Sequence, residues 1–269
     1  MQISFKSSTL QYLIPREHGA WAMWITPLIL GMIFSGISID SVIFSHSALF
    51  LFLAYGPLSM VIKSPRKQKE NLQAFVFAGV LFCIPGIVLA LRRFSLMMAM
   101  LGILCFMLFG IHLMIRRFGK GLTILGYIPG VAGLTMTAPF VILINTGTVN
   151  SLAVILWITC FLYFFTTTFY IRLRIRIQAR VSVNVSLREK LQIGGPAILA
   201  SIIPVIIMLI SHLPLLAVSY LPGMLKALWG SLFFLPGEKP RPVVLGITEI
   251  IFTLVFMILM VIVLHGKDW

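Results

Sequence analysis

Apolar residues fill this chain in blocks of about 20, each closed off by a short polar or basic stretch. A helix rising 1.5 Å per residue needs about 20 residues to cross a hydrocarbon core. The blocks therefore predict nine membrane-spanning helices, over residues 20–37, 42–62, 74–91, 95–115, 122–144, 151–171, 193–211, 213–235 and 243–264. The seventh and eighth are the hardest to separate, because Pro204, Pro214, Pro222 and Gly223 interrupt the pattern. An Ile-Pro-Gly or Leu-Pro-Gly tripeptide recurs at Ile84, Ile128, Leu221 and Leu235 with irregular spacing. It reads as a set of local helix breaks, not as a repeat. Breaks at Pro129-Gly130 and Pro222-Gly223 would fall inside spans. They leave open both an internal chamber and the ordinary use of Pro and Gly in membrane helices. The expected fold class is all-α, a polytopic transmembrane bundle forming a single domain over residues 1–269.

Charge turns the pattern into a topology. The chain carries 21 Lys and Arg against 7 Asp and Glu, a net charge of +14, yet only 10% of its residues are charged. A soluble domain has roughly 25%. With the amino terminus inside, segments 1–19, 63–73, 116–121, 172–192 and 236–242 hold 2, 4, 3, 6 and 2 of the basic residues. Lys and Arg favour the cytoplasmic side, so the amino terminus is expected inside and the carboxyl terminus outside. Only Arg92, Arg93 and Lys267 fall in outer segments. The basic stretches are too short to fold as a nucleic-acid-binding domain. Their expected partners are the bilayer and anionic headgroups on its cytoplasmic face, and no nucleic acid. The location expected is the cell membrane. Arg16, Glu17 and His18 directly precede the first block and no small-x-small cleavage site follows, so that block reads as a retained span.

Few residues carry candidate chemistry. Pro15-Arg16-Glu17-His18-Gly19 stands at the mouth of the first span. Pro15 and Glu17 suit a helix start, but an Arg, a carboxylate and an imidazole together could also bind phosphate or relay a proton. Lys63, Arg66 and Lys67 follow the second span, and Arg172 and Arg176 follow the sixth. From Ile171 to Ser186 apolar and polar positions alternate as in a strand, whereas on a helix Arg172, Arg176 and Arg180 would form one stripe. Helix is the reading for at least the first half, as a continuation of the sixth span. These loops serve either as topology signals or as a cationic vestibule for an anionic or lipid-phosphate ligand. Lys226 and Glu249 are the charges inside spans. Counting from the nearest cytoplasmic loops puts them roughly 15 and 12 Å deep on the same side, so they are expected to pair between the eighth and ninth spans, as a structural tie or a functional one. The five His residues show no ligand spacing, and Cys83, Cys105 and Cys160 all lie in apolar blocks. No metal site and no cofactor is expected.

The segment 15–23, Pro-Arg-Glu-His-Gly-Ala-Trp-Ala-Met, in a basic nine-span chain of this length, closely resembles the YwiC-like family of bacterial membrane proteins. The resemblance implies a plasma-membrane protein and carries over no catalytic residue. Tyr12-Leu13, Arg16, Gly19, Trp21, Pro27 and Gly31 are also similar to the opening of UbiA-type prenyltransferases. That looser likeness implies nine spans with the amino terminus inside. The UbiA family holds Mg²⁺ with Asp-rich motifs after spans two and six. Here those loops are basic, with Glu70 in the first and Glu189 in the second as the carboxylates on offer. Such a magnesium site cannot be built from them. Three functions stay open: a transporter or binder of an anionic or lipid-phosphate ligand, a UbiA-like lipid or prenyl enzyme without the metal site, and a scaffold that binds a partner through the basic loops.

Overall fold

The computed structural model describes residues 18–63, 68–118, 123–174, 186–233 and 242–265, and these form helices joined by short turns, with no strand among them. The helices are α1 (His18–Ser35), α2 (Ile39–Lys63), α3 (Gln68–Arg93), α4 (Leu96–Arg117), α5 (Ile124–Thr135), α6 (Thr137–Thr146), α7 (Ser151–Arg172), α8 (Leu187–Ile210), α9 (Pro214–Leu232) and α10 (Pro242–Leu264). Eight stretches among the described residues are long and apolar enough to cross a membrane, with α5 and α6 together making one of them; α1 is an apolar helix slightly shorter than these. Large apolar side chains lie exposed along most helices, Ile84, Leu104, Ile203 and Ile258 among them. Lipid is the solvent that makes such a surface stable.

The tripeptide breaks expected at Ile84, Ile128 and Leu221 do not occur. α3, α5 and α9 run unbroken through Pro85, Pro129 and Pro222; the fourth tripeptide, at Leu235, lies outside the described residues. The span expected over 122–144 is broken at Met136 instead. Pro139 explains the position, because its ring nitrogen has no proton to give the carbonyl of Thr135 four residues earlier. The Thr135 hydroxyl folds back on the Val131 and Ala132 carbonyls, and that of Thr137 reaches the Trp24 carbonyl at 3.2 Å. Hydroxyls that satisfy local carbonyls make the interruption tolerable inside a membrane.

The chain divides into two compact units, Met1–Leu156 and Trp157–Trp269, with the boundary inside α7. In the first unit, α2 and α3 form a hairpin, α1 lies along α6, and α4 packs on α5. Thr137 to Ile144 of α6 are buried without interruption, whereas α4 buries none of its residues. So α6 is the core of this unit and α4 its lipid-facing wall. A side chain at Gly31 would meet Val141 Cβ at 3.1 Å and the Ala138 carbonyl at 3.2 Å, so glycine there sets how closely α1 approaches α6. In the second unit α8 and α9 form a hairpin and α10 lies against α9. The soft boundary between the seventh and eighth spans falls at Ser211–Leu213. There His212 takes a left-handed φ of 57° and Leu213 N–H reaches back to the Met208 carbonyl, before Pro214 starts α9.

Candidate functional sites

Apolar packing occupies most of the second unit and makes its polar centre conspicuous. Lys226 on α9 and Glu249 on α10 are 5% and 6% exposed, and Lys226 Nζ donates to Glu249 Oε2 at 2.7 Å. Tyr170 of α7 and Phe252 of α10 present their rings to the ammonium, 4.9 and 5.2 Å from their centroids. Such faces stabilise a desolvated cation. The helices are held together here by close contacts. A side chain at Gly230 would run into the Tyr170 ring, and one at Gly194 into Ser231. Tyr163 stacks on Phe256 at 3.9 Å, and the Tyr220 hydroxyl donates to the Thr159 carbonyl at 3.0 Å. Glu249 Oε1 is buried and accepts no hydrogen bond among the described residues. An acceptor oxygen buried without a donor costs about 1–3 kcal/mol.

Two further polar clusters lie in the first unit, and neither is apparent from span patterning. At one end of α2 and α4, His112 Nδ1 sits 2.8 Å from the Gly126 carbonyl, and its Nε2 is 2.6 Å from the Tyr55 hydroxyl. A carbonyl only accepts, so Nδ1 carries the proton. In the neutral ring Nε2 then accepts from Tyr55. Arg116 Nη1 donates to the same phenolic oxygen. The result is a directional chain from Arg116 through Tyr55 and His112 to the backbone of α5. Gly130 makes room for it, since a side chain there would touch the imidazole at 3.0 Å. The signal available in the sequence is the four-residue spacing of His112 and Arg116, which puts both on one helix face.

The second cluster is at the opposite end of α2, where α3 ends. Asp40 is buried, and its two oxygens accept from Arg92 Nε and Arg93 Nε, each at 2.6 Å. Next to it Ser38 and Ser41 exchange backbone-to-hydroxyl bonds of 2.9 and 3.1 Å. Asn145, at the end of α6, accepts from the Ser38 hydroxyl at 2.6 Å and donates to the Gly36 carbonyl at 2.6 Å.

Of the residues singled out from sequence, the structure brings together Lys226 and Glu249. Arg172 closes α7, half-buried. His18 opens α1 and Lys63 closes α2, but their side chains lie outside the described residues, as do Arg16, Glu17, Arg66, Lys67 and Arg176. Most of the alternating stretch 171–186 is outside as well. Its described start is helical, Leu173 and Arg174 continuing α7 as a wider turn. Among the described residues no three His, Cys, Asp or Glu gather as metal ligands.

Apolar helices of spanning length, with lipid-facing side chains and a charge pair sealed among them, define a multi-pass integral membrane protein. Residues 14–142 match the family model described as "YwiC-like protein", so that segment, just under half of the chain, is similar to this family. The curated relative found is the "Uncharacterized protein YwiC" of Bacillus subtilis (strain 168). It is 27% identical over 164 residues, which cover 61% of this chain and 67% of that one. No solved structure matches. The matched segment holds the 15–23 signature and both polar clusters of the first unit except Asn145, and ends before Lys226 and Glu249.

Proposed function

We propose that this protein is a carrier in the cell membrane, its amino terminus cytoplasmic, that takes a small phosphate-type anion and couples its movement to a proton. The observation that supports this reading is the Lys226–Glu249 pair, buried among membrane-spanning helices with Glu249 Oε1 lacking a hydrogen bond among the described residues. Ionisable groups inside spans mark ion or proton pathways. In the resting pair the charges cancel. Protonating Glu249 releases the Lys226 ammonium, which then takes the anion, and the site is again neutral. Both states avoid a net charge in a low-dielectric interior, which is the expensive condition. The basic cytoplasmic segments raise the local concentration of anions at the entrance.

Uptake of radiolabelled inorganic phosphate into proteoliposomes, driven by an imposed pH gradient, tests the reading. The wild-type protein should accumulate phosphate above protein-free vesicles. Glu249→Gln should lose the response to the gradient, and Lys226→Gln should lose uptake. Wild-type uptake equal to that of empty vesicles, or uptake unchanged in Lys226→Gln, removes the carrier reading.

A further inference from the structure

We propose that Arg92 and Arg93, with Ser95, form a binding site for a phosphate group at the α3–α4 turn, and that its ligand is an anionic phospholipid headgroup. The inference stands apart from the carrier reading, because all its residues belong to the first unit and it involves no proton.

The sequence supplies the first reason. By the charge count, these two arginines lie on the side that the chain otherwise keeps nearly free of basic residues. Topology alone favours their absence. Asp40 accounts for only half of their charge. One carboxylate faces two guanidiniums, so the cluster keeps a net charge of +1. Each arginine meets Asp40 through Nε, and the two side chains remain 52% and 56% exposed. Their terminal Nη groups lie outside that contact, and a planar fork of N–H donors suits phosphate oxygens.

Rigidity is the second reason. Asp40 is buried at the start of α2, beside the reciprocal Ser38–Ser41 bonds, and Ser38 is tied to Asn145. A single fixed carboxylate thus holds both guanidiniums, and groups already held in place lose less entropy on binding. Shape gives the third. Arg93 and Ser95 line a small depression of about 70 Å³ together with Met98, Leu143, Ile144 and Gly147. Ser95 Oγ accepts from Met98 N–H, which leaves the hydroxyl proton to donate. The polar edge suits phosphate and the apolar wall suits hydrocarbon. A lipid joins the two chemistries in one molecule, which is why a lipid phosphate is favoured over a free one.

Native mass spectrometry of the full chain, with phosphatidylglycerol or phosphatidylcholine added, measures lipid retention; equilibrium dialysis with radiolabelled inorganic phosphate measures the soluble source. Wild type should retain phosphatidylglycerol about tenfold more tightly than the triple variant D40N/R92Q/R93Q. That variant removes the buried carboxylate along with its partners, so no uncompensated charge is left behind. Arg93→Gln, which keeps the Arg92–Asp40 pair, should lose about threefold and decides the matter if the triple variant does not fold. Arg188→Gln makes the same charge change elsewhere and should leave retention as in wild type. Lipid retention lost only in the Arg92 and Arg93 variants establishes the headgroup site. Loss of phosphate binding alone in those variants keeps the site and overturns the lipid as its ligand. Unchanged binding of both probes in Arg93→Gln and the triple variant overturns the site.

Discussion

A carboxylate and an ammonium buried 2.7 Å apart are costly to separate and cheap to replace together. Removing one partner leaves a buried charge uncompensated, at about 3–5 kcal/mol, whereas apolar residues of similar volume in place of both are often neutral. Glu249→Leu alone is therefore expected to lower stability by about that amount, and Lys226→Met/Glu249→Leu together to recover most of it. Unfolding curves for the two singles and the double in one detergent check this. A double variant as unstable as the singles would mean that the pair is embedded in a wider polar network. Transport should distinguish the variants differently, since the double variant keeps its fold and loses any proton or anion coupling. Stability and activity at these positions are thus separable.

Helices in lipid gain little from apolar contact with one another, so close approach and polar links decide which surfaces meet. Gly31 against Ala138 and Val141 is one such approach, and the Arg116–Tyr55–His112 chain is one such link, joining α2, α4 and α5. α4 buries none of its residues, so it depends more than the other helices on this link. Tyr55→Phe keeps the ring and removes the shared hydroxyl, which should cost about 1–3 kcal/mol. Hydrogen exchange should show the loss concentrated in α4 and in the start of α5. An even loss across the first unit would show that the hydroxyl is no specific tether.

For the molecule as a whole, the distribution of basic residues predicts one orientation, with the amino terminus inside. A cysteine placed at Thr148, between α6 and α7, should react with a membrane-impermeant maleimide from outside the cell, and one at Lys120 only after the membrane is opened. The background comes from Cys83, Cys105 and Cys160, of which Cys83 is exposed and Cys160 buried; it is removed by replacing them first. The opposite labelling pattern would invert the molecule, and with it the assignment of the basic loops to the cytoplasm.

Architecture was legible from the chain because the constraint behind it is one-dimensional. A span must be apolar for about 20 residues, and its flanking charges choose a side. Those two conditions yielded helices at nearly the observed positions, and the depth count aligned Lys226 with Glu249 because antiparallel neighbours share a depth scale. Tertiary structure alone decided the rest, because the rest depends on which face of a helix meets which neighbour. Proline content did not reveal that α5 and α9 stay whole while the chain breaks at Met136. Tyr55 lies 57 residues from His112, and Asp40 lies 52 and 53 residues from its two arginines. No local pattern links partners so far apart. The sequence by itself determined that the protein lives in a membrane and where its helices cross; packing determined which polar groups meet inside it.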